Sequence, residues 1–83
     1  MNREEMTIQL RSLIRQTSDA IKAIEVQRDA FKGEYEGLFV DNGEDTTERK
    51  LELYQYVIEF PRAILRLRNE LSLFQSLLGR VAP

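Results

Sequence analysis

Arg28, Tyr35 and Tyr54 are the side chains best equipped to do more than pack. A guanidinium grips carboxylate or phosphate oxygens through a planar fork of donors, and phenol rings beside it offer a stacking surface to a planar or phosphorylated ligand. Arg28 stands out because helical steps from Leu10, Ile14, Ile21 and Ile24 place it near the centre of an apolar stripe. A charge there needs a partner, so the first expectation is an ion pair or a polar register device, and the second a ligand anchor.

Two further basic sets lie on outer helical faces: Arg62, Arg66 and Arg80 in the second half of the chain, Arg11 and Arg15 in the first. Such stripes can track a phosphate backbone, yet no nucleic-acid motif accompanies them. Glu59 and Glu70 fall within one helical turn of Arg62 and Arg66 and can neutralise them, so a solvated face is the expectation. The acids Asp41, Glu44, Asp45 and Glu48 lack the twelve-residue ligand spacing of an EF-hand and are read as capping and solubilising groups. The chain has neither His nor Cys, which removes the usual zinc ligands, the commonest general base and thiolate chemistry. No catalytic residue, metal or cofactor is expected.

These side chains must be positioned by helices. Apolar residues from Met6 to Leu38 recur at helical spacing, with Arg11, Arg15, Lys22, Glu25 and Asp29 on the opposite face, which predicts an amphipathic helix over about 3–38. Gly33 and Gly37 weaken its last turns. Asp41-Asn42-Gly43-Glu44 reads as a turn, and Asp45-Thr46-Thr47-Glu48 as a capping box with Asp45 as N-cap. A second helix follows over about 46–79. Its apolar positions Leu53, Val57, Phe60, Ile64, Leu67, Leu71, Phe74, Leu78 and Val81 alternate steps of four and three, which is a heptad seam. Pro61 lies within that pattern without shifting its phase, so the spacing predicts one helix kinked at Pro61.

The fold class expected is therefore all-α: an antiparallel two-helix hairpin forming a single domain over 1–83. At 83 residues such a chain is near the lower limit for an independent core. The second helix also carries apolar residues off its seam, Leu51, Tyr54, Ile58 and Leu65 on one flank and Leu73 and Leu77 on the other. One partner helix cannot cover that arc, which predicts a homodimer closing a four-helix bundle, or a higher oligomer.

Net charge is −2 but uneven. Residues 34–52 hold seven acids against Arg49 and Lys50, leaving ten bases and seven acids elsewhere. The turn end is acidic and the body mildly basic. The charged N-terminus and the lack of any run near the ~20 apolar residues of a membrane span point to a cytoplasmic protein. Functionally, the pattern predicts a small non-enzymatic protein–protein interaction module, an adaptor, inhibitor or chaperone-like protein. It would self-associate through Leu53, Val57, Phe60, Ile64, Leu67, Leu71, Phe74 and Leu78, and bind a protein partner by helix-in-groove docking or bundle completion. The alternative is an oligomeric binder of an anionic nucleotide or nucleic acid, using Arg28 with Tyr35 and Tyr54, or Arg62 and Arg66.

Overall fold

A computed structural model describes residues 1–39 and 45–82. The expected turn at Asp41-Asn42-Gly43-Glu44 lies outside them. Among the described residues the chain is two α-helices and nothing else, α1 (Arg3–Leu38) and α2 (Thr47–Val81). They pack antiparallel: Glu34 meets Arg49 at one end, Glu25 meets Arg68 midway, and Met6 and Leu10 share a hollow with Leu77 and Val81 at the other end. The result is a rod of 63 × 16 × 14 Å. Its radius of gyration is 18.7 Å, against about 12 Å for a compact domain of this length.

The helix starts are set by different caps. Asn2 accepts the Glu5 amide at 2.8 Å while its own amide reaches back to the Glu5 carboxylate, and Glu4 and Glu5 face the positive end of the helix dipole. For α2 the expected cap shifts by one residue. Thr46 is the N-cap and makes no side-chain bond, whereas Asp45, one residue earlier, accepts the Thr47 amide at 3.1 Å. The carboxylate still satisfies one of the orphaned amides at the helix start, from outside the helix.

Pro61 does not end α2, which is helical from Thr47 to Val81. The ring is exposed, so the one hydrogen bond it removes is lost without a packing clash against α1. Gly33 likewise sits within α1 at an exposed position, and a Cβ built there meets nothing within 4 Å. Gly33→Ala should therefore raise stability by about 1 kcal/mol, the intrinsic helix preference of Ala over Gly, and raise Tm by several degrees in a thermal melt. A fall in Tm would mean that the glycine is needed for a close approach.

The core is thin. Ile21, Leu53 and Ile64 are its buried apolar side chains, with Thr17 beside them at 8% exposure. Two helices leave both sides of their shared seam open, so the other seam residues are half-buried. On α2 these are Val57, Phe60, Leu67, Leu71, Phe74 and Leu78, so the expected interface residues line the packing against α1 within one chain. On α1 the matching seam is also a heptad: Thr7, Leu10, Ile14, Thr17, Ile21, Ile24, Arg28, Phe31, Tyr35 and Leu38, again in steps of three and four.

Candidate interaction surface

Arg28 occupies a seam position, but its guanidinium escapes burial. Its side chain is 34% exposed and its Nε donates to Asp29 at 3.1 Å, so the ion pair expected of a seam charge is made with its own neighbour. The long apolar stem covers the seam while the charged head reaches the rim. There it lines a shallow hollow with Asp29, Lys32, Val57 and Pro61.

The tyrosines expected beside Arg28 lie closer to the hairpin tip. Tyr35 and Tyr54 face each other across the helices with ring centroids 6.1 Å apart, and Tyr35 meets Phe39 edge to face at 5.0 Å. Lys50 places its ammonium 4.7 Å from the centre of the Phe39 ring. A second group, Phe31, Tyr56 and Phe60, packs together at 5.1 to 5.7 Å. Six of the seven aromatic side chains thus sit toward the tip, where edge-to-face pairs add specificity to plain burial. The structure brings Tyr35 and Tyr54 together and leaves Arg28 in its own hollow, two helical turns from Tyr35, about 10.5 Å along the axis.

Arg62 and Arg66 are exposed and border an open depression with Glu59 and Ala63. Among the described residues neither makes an ion pair, although Glu59 lies beside them. The strongest charge contact is instead at the tip. Arg49 binds the Glu34 carboxylate in a fork, Nε to Oε1 at 2.9 Å and Nη2 to Oε2 at 3.0 Å, and also meets Glu52 at 3.0 Å. Glu34 first, and Glu52 after it, raise the Arg49 pKa above its ordinary value. Among the described residues no group of three acids converges as a metal site requires. Among the described residues no helix is long and apolar enough to cross a membrane.

Asp45 is held below the ordinary carboxylate range, chiefly by hydrogen bonds from Thr47 and further by Lys50. Because the folded value is the lower one, the ionised carboxylate supports folding above the unfolded pKa of about 4, and that support disappears as pH falls through the folded value. Asp45→Asn, which keeps an acceptor but loses the charge, should melt below wild type at neutral pH. The two Tm curves should converge in acid, and parallel curves down to the most acidic point would rule out the carboxylate as the titrating group.

The least expected geometry is on the outside of α2. Leu51 is 63% exposed, Tyr54 50% and Leu65 61%, while Ile58 between them is half-buried. Pro61, which the sequence presented only as a helix problem, falls in the same row: 51, 54, 58, 61 and 65 are separated by steps of three and four. This is a second heptad stripe on one helix, about 100° around from the seam, and among the described residues Leu51, Tyr54, Pro61 and Leu65 on it stay exposed. It spans five positions and stops at Arg68. The opposite flank is less apolar: Leu73 is 56% exposed, while Leu77 is half-buried against Met6 and Leu13.

In comparisons with protein-family models, curated proteins and solved structures, nothing matches the chain.

Proposed function

We propose that the chain is a small non-enzymatic protein–protein interaction module that works by completing a helical bundle. The observation that carries this reading is the uncovered stripe of Leu51, Tyr54, Ile58, Pro61 and Leu65 on a helix whose first stripe is already used in the hairpin. Soluble chains rarely leave a contiguous apolar row in water unless another surface covers it. The rod's thin core adds to the case, since a third or fourth helix would bury seam side chains that two helices leave half exposed. Acting in the cytoplasm, such a module would serve as an adaptor, an inhibitor or a chaperone-like protein.

Capture of an anionic nucleotide or nucleic acid is the weaker reading. Arg28 already engages Asp29, the tyrosines lie away from it, and Arg62 and Arg66 border a depression that also contains Glu59.

Native mass spectrometry of the protein purified from its own cells tests the module reading. The chain should appear in a complex heavier than its own 9.7 kDa, and a Leu51→Lys/Leu65→Lys double variant, changed at exposed positions, should lose the complex while keeping its helix content by circular dichroism. A wild-type chain found only as a monomer at micromolar concentration would overturn it.

A further inference from the structure

We infer that the occupant of the exposed α2 stripe is a second copy of this chain, docked antiparallel with its two-fold axis at Ile58. This rests on the module reading above and specifies its partner. The stripe is symmetric about Ile58: Leu51 and Leu65 lie seven residues to either side, and Tyr54 and Pro61 lie four before and three after. A two-fold contact requires one patch to complement itself, and two antiparallel copies about that axis set Leu51 on Leu65, Ile58 on Ile58, and Tyr54 on Pro61 in both directions.

Charge selects the same orientation. Residues 34–52 carry seven acids and two bases, a net of −5, while the rest of the chain carries seven acids and ten bases, a net of +3. Parallel copies in register would stack the acidic tips on each other. The antiparallel arrangement carries each tip past the axis onto the basic body of the other copy, and brings Glu48 beside Arg68 at both ends of the stripe. Arg68 is 60% exposed and, among the described residues, pairs only with Glu25 at 3.6 Å, so its guanidinium has donors to spare.

Exposed surface points the same way. A compact monomer of 9.7 kDa exposes about 5,100 Å², whereas this chain exposes 6431 Å². The excess of roughly 1,300 Å² is the surface that an open two-helix rod leaves in water, and a second copy on the stripe would cover part of it. Because Ile58 lies eleven residues into α2, about 16 Å from its start, the copies overlap over positions 47–69 of α2 and leave 70–81 of each copy beyond the other. The dimer is therefore a staggered rod, with a four-helix bundle at its centre and two single hairpins projecting from it, longer than the 63 Å monomer.

The chain contains no cysteine, so single thiols introduced into the full-length protein report the geometry directly. Four variants suffice: Ile58→Cys, Leu51→Cys, Leu65→Cys and Leu73→Cys, each checked for wild-type helix content and oxidised at micromolar concentration. Ile58→Cys should link to itself at least tenfold faster than either Leu51→Cys or Leu65→Cys alone. An equimolar mixture of those two should give the mixed dimer, and Leu73→Cys on the far flank should stay unlinked. Self-linking of Leu51→Cys as fast as Ile58→Cys would overturn the antiparallel axis, and fast linking of Leu73→Cys would overturn the choice of flank. In both cases the module reading survives. A wild-type chain that sediments as a monomer alone but enters a complex with a different protein overturns the second copy while keeping the module, and a chain monomeric under every condition removes both.

Discussion

Leu53→Ala is expected to cost the hairpin about 3 kcal/mol, near the lower end of the 2.7–5 kcal/mol range for buried leucines. Among the described residues, Leu53 is the one large side chain with no exposure at all. Its burial follows from what flanks it. One turn earlier, Arg49 is forked onto Glu34 of α1, and in the next position Tyr54 reaches Tyr35 across the helices. With the helices held together on both sides, the leucine between them is closed off from water. A domain of this length is stable by only about 4–12 kcal/mol, and a rod with three buried apolar residues belongs near the bottom of that range. The substitution should therefore lower Tm by well over 10 °C in a melt followed at 222 nm. Leu53→Met, which keeps the volume, should cost under about 1.5 kcal/mol. If Leu53→Ala costs less than 1 kcal/mol, the tip is not where the hairpin's stability resides.

The opposite sign is expected at Pro61. Proline inside a helix costs about 3 kcal/mol relative to alanine, because it removes one backbone hydrogen bond and crowds the carbonyl four residues earlier. Here that carbonyl belongs to Val57, and α2 continues past the defect in both directions. Since the ring is exposed, its removal leaves no cavity within the chain. Pro61→Ala should thus stabilise the hairpin by about 2 kcal/mol, restoring an amide at position 61 to bond Val57, with a rise in Tm of roughly 10 °C. The melt should be repeated across protein concentrations, because association with a second copy raises apparent stability by mass action. An unchanged or lower Tm in the dilute limit would mean that the local backbone has adapted to the ring and gains nothing from its loss.

The fold was legible because hydrophobic periodicity is a strong signal over long helices. The expected spans of about 3–38 and 46–79 differ from α1 and α2 by no more than two residues at any end. The start of α2 was misplaced by one position because Asp45 and Thr46 are both good cap residues, and only the backbone decides between them. The heptad on α1 went unread for a physical reason: Thr17 and Arg28 occupy seam positions, and a polar residue at a core site resembles a break in the pattern. Counting steps of three and four through those residues would have recovered it. The ion pair expected of Arg28 is found with its neighbour Asp29, because a two-helix seam is open at the rim and lets a long side chain reach water. At the candidate surface the apolar flank was legible from Leu51, Tyr54, Ile58 and Leu65, but Pro61 was read as a backbone defect and not as a member of the row.

The start of α1 and the end of α2 lie at the end of the rod where Met6 and Leu10 approach Leu77 and Val81, opposite the aromatic tip. A force applied through these two helix ends would therefore load the molecule as a zipper, opening one seam layer at a time instead of shearing all of them together. The first layers to part would be the half-buried aliphatic ones, and the last would be the aromatic groups and the Arg49–Glu34 fork that enclose Leu53. Pulling along the rod from one terminus and the tip would meet the whole seam at once. In mechanical terms the hairpin is soft at its open end and stiff at its tip.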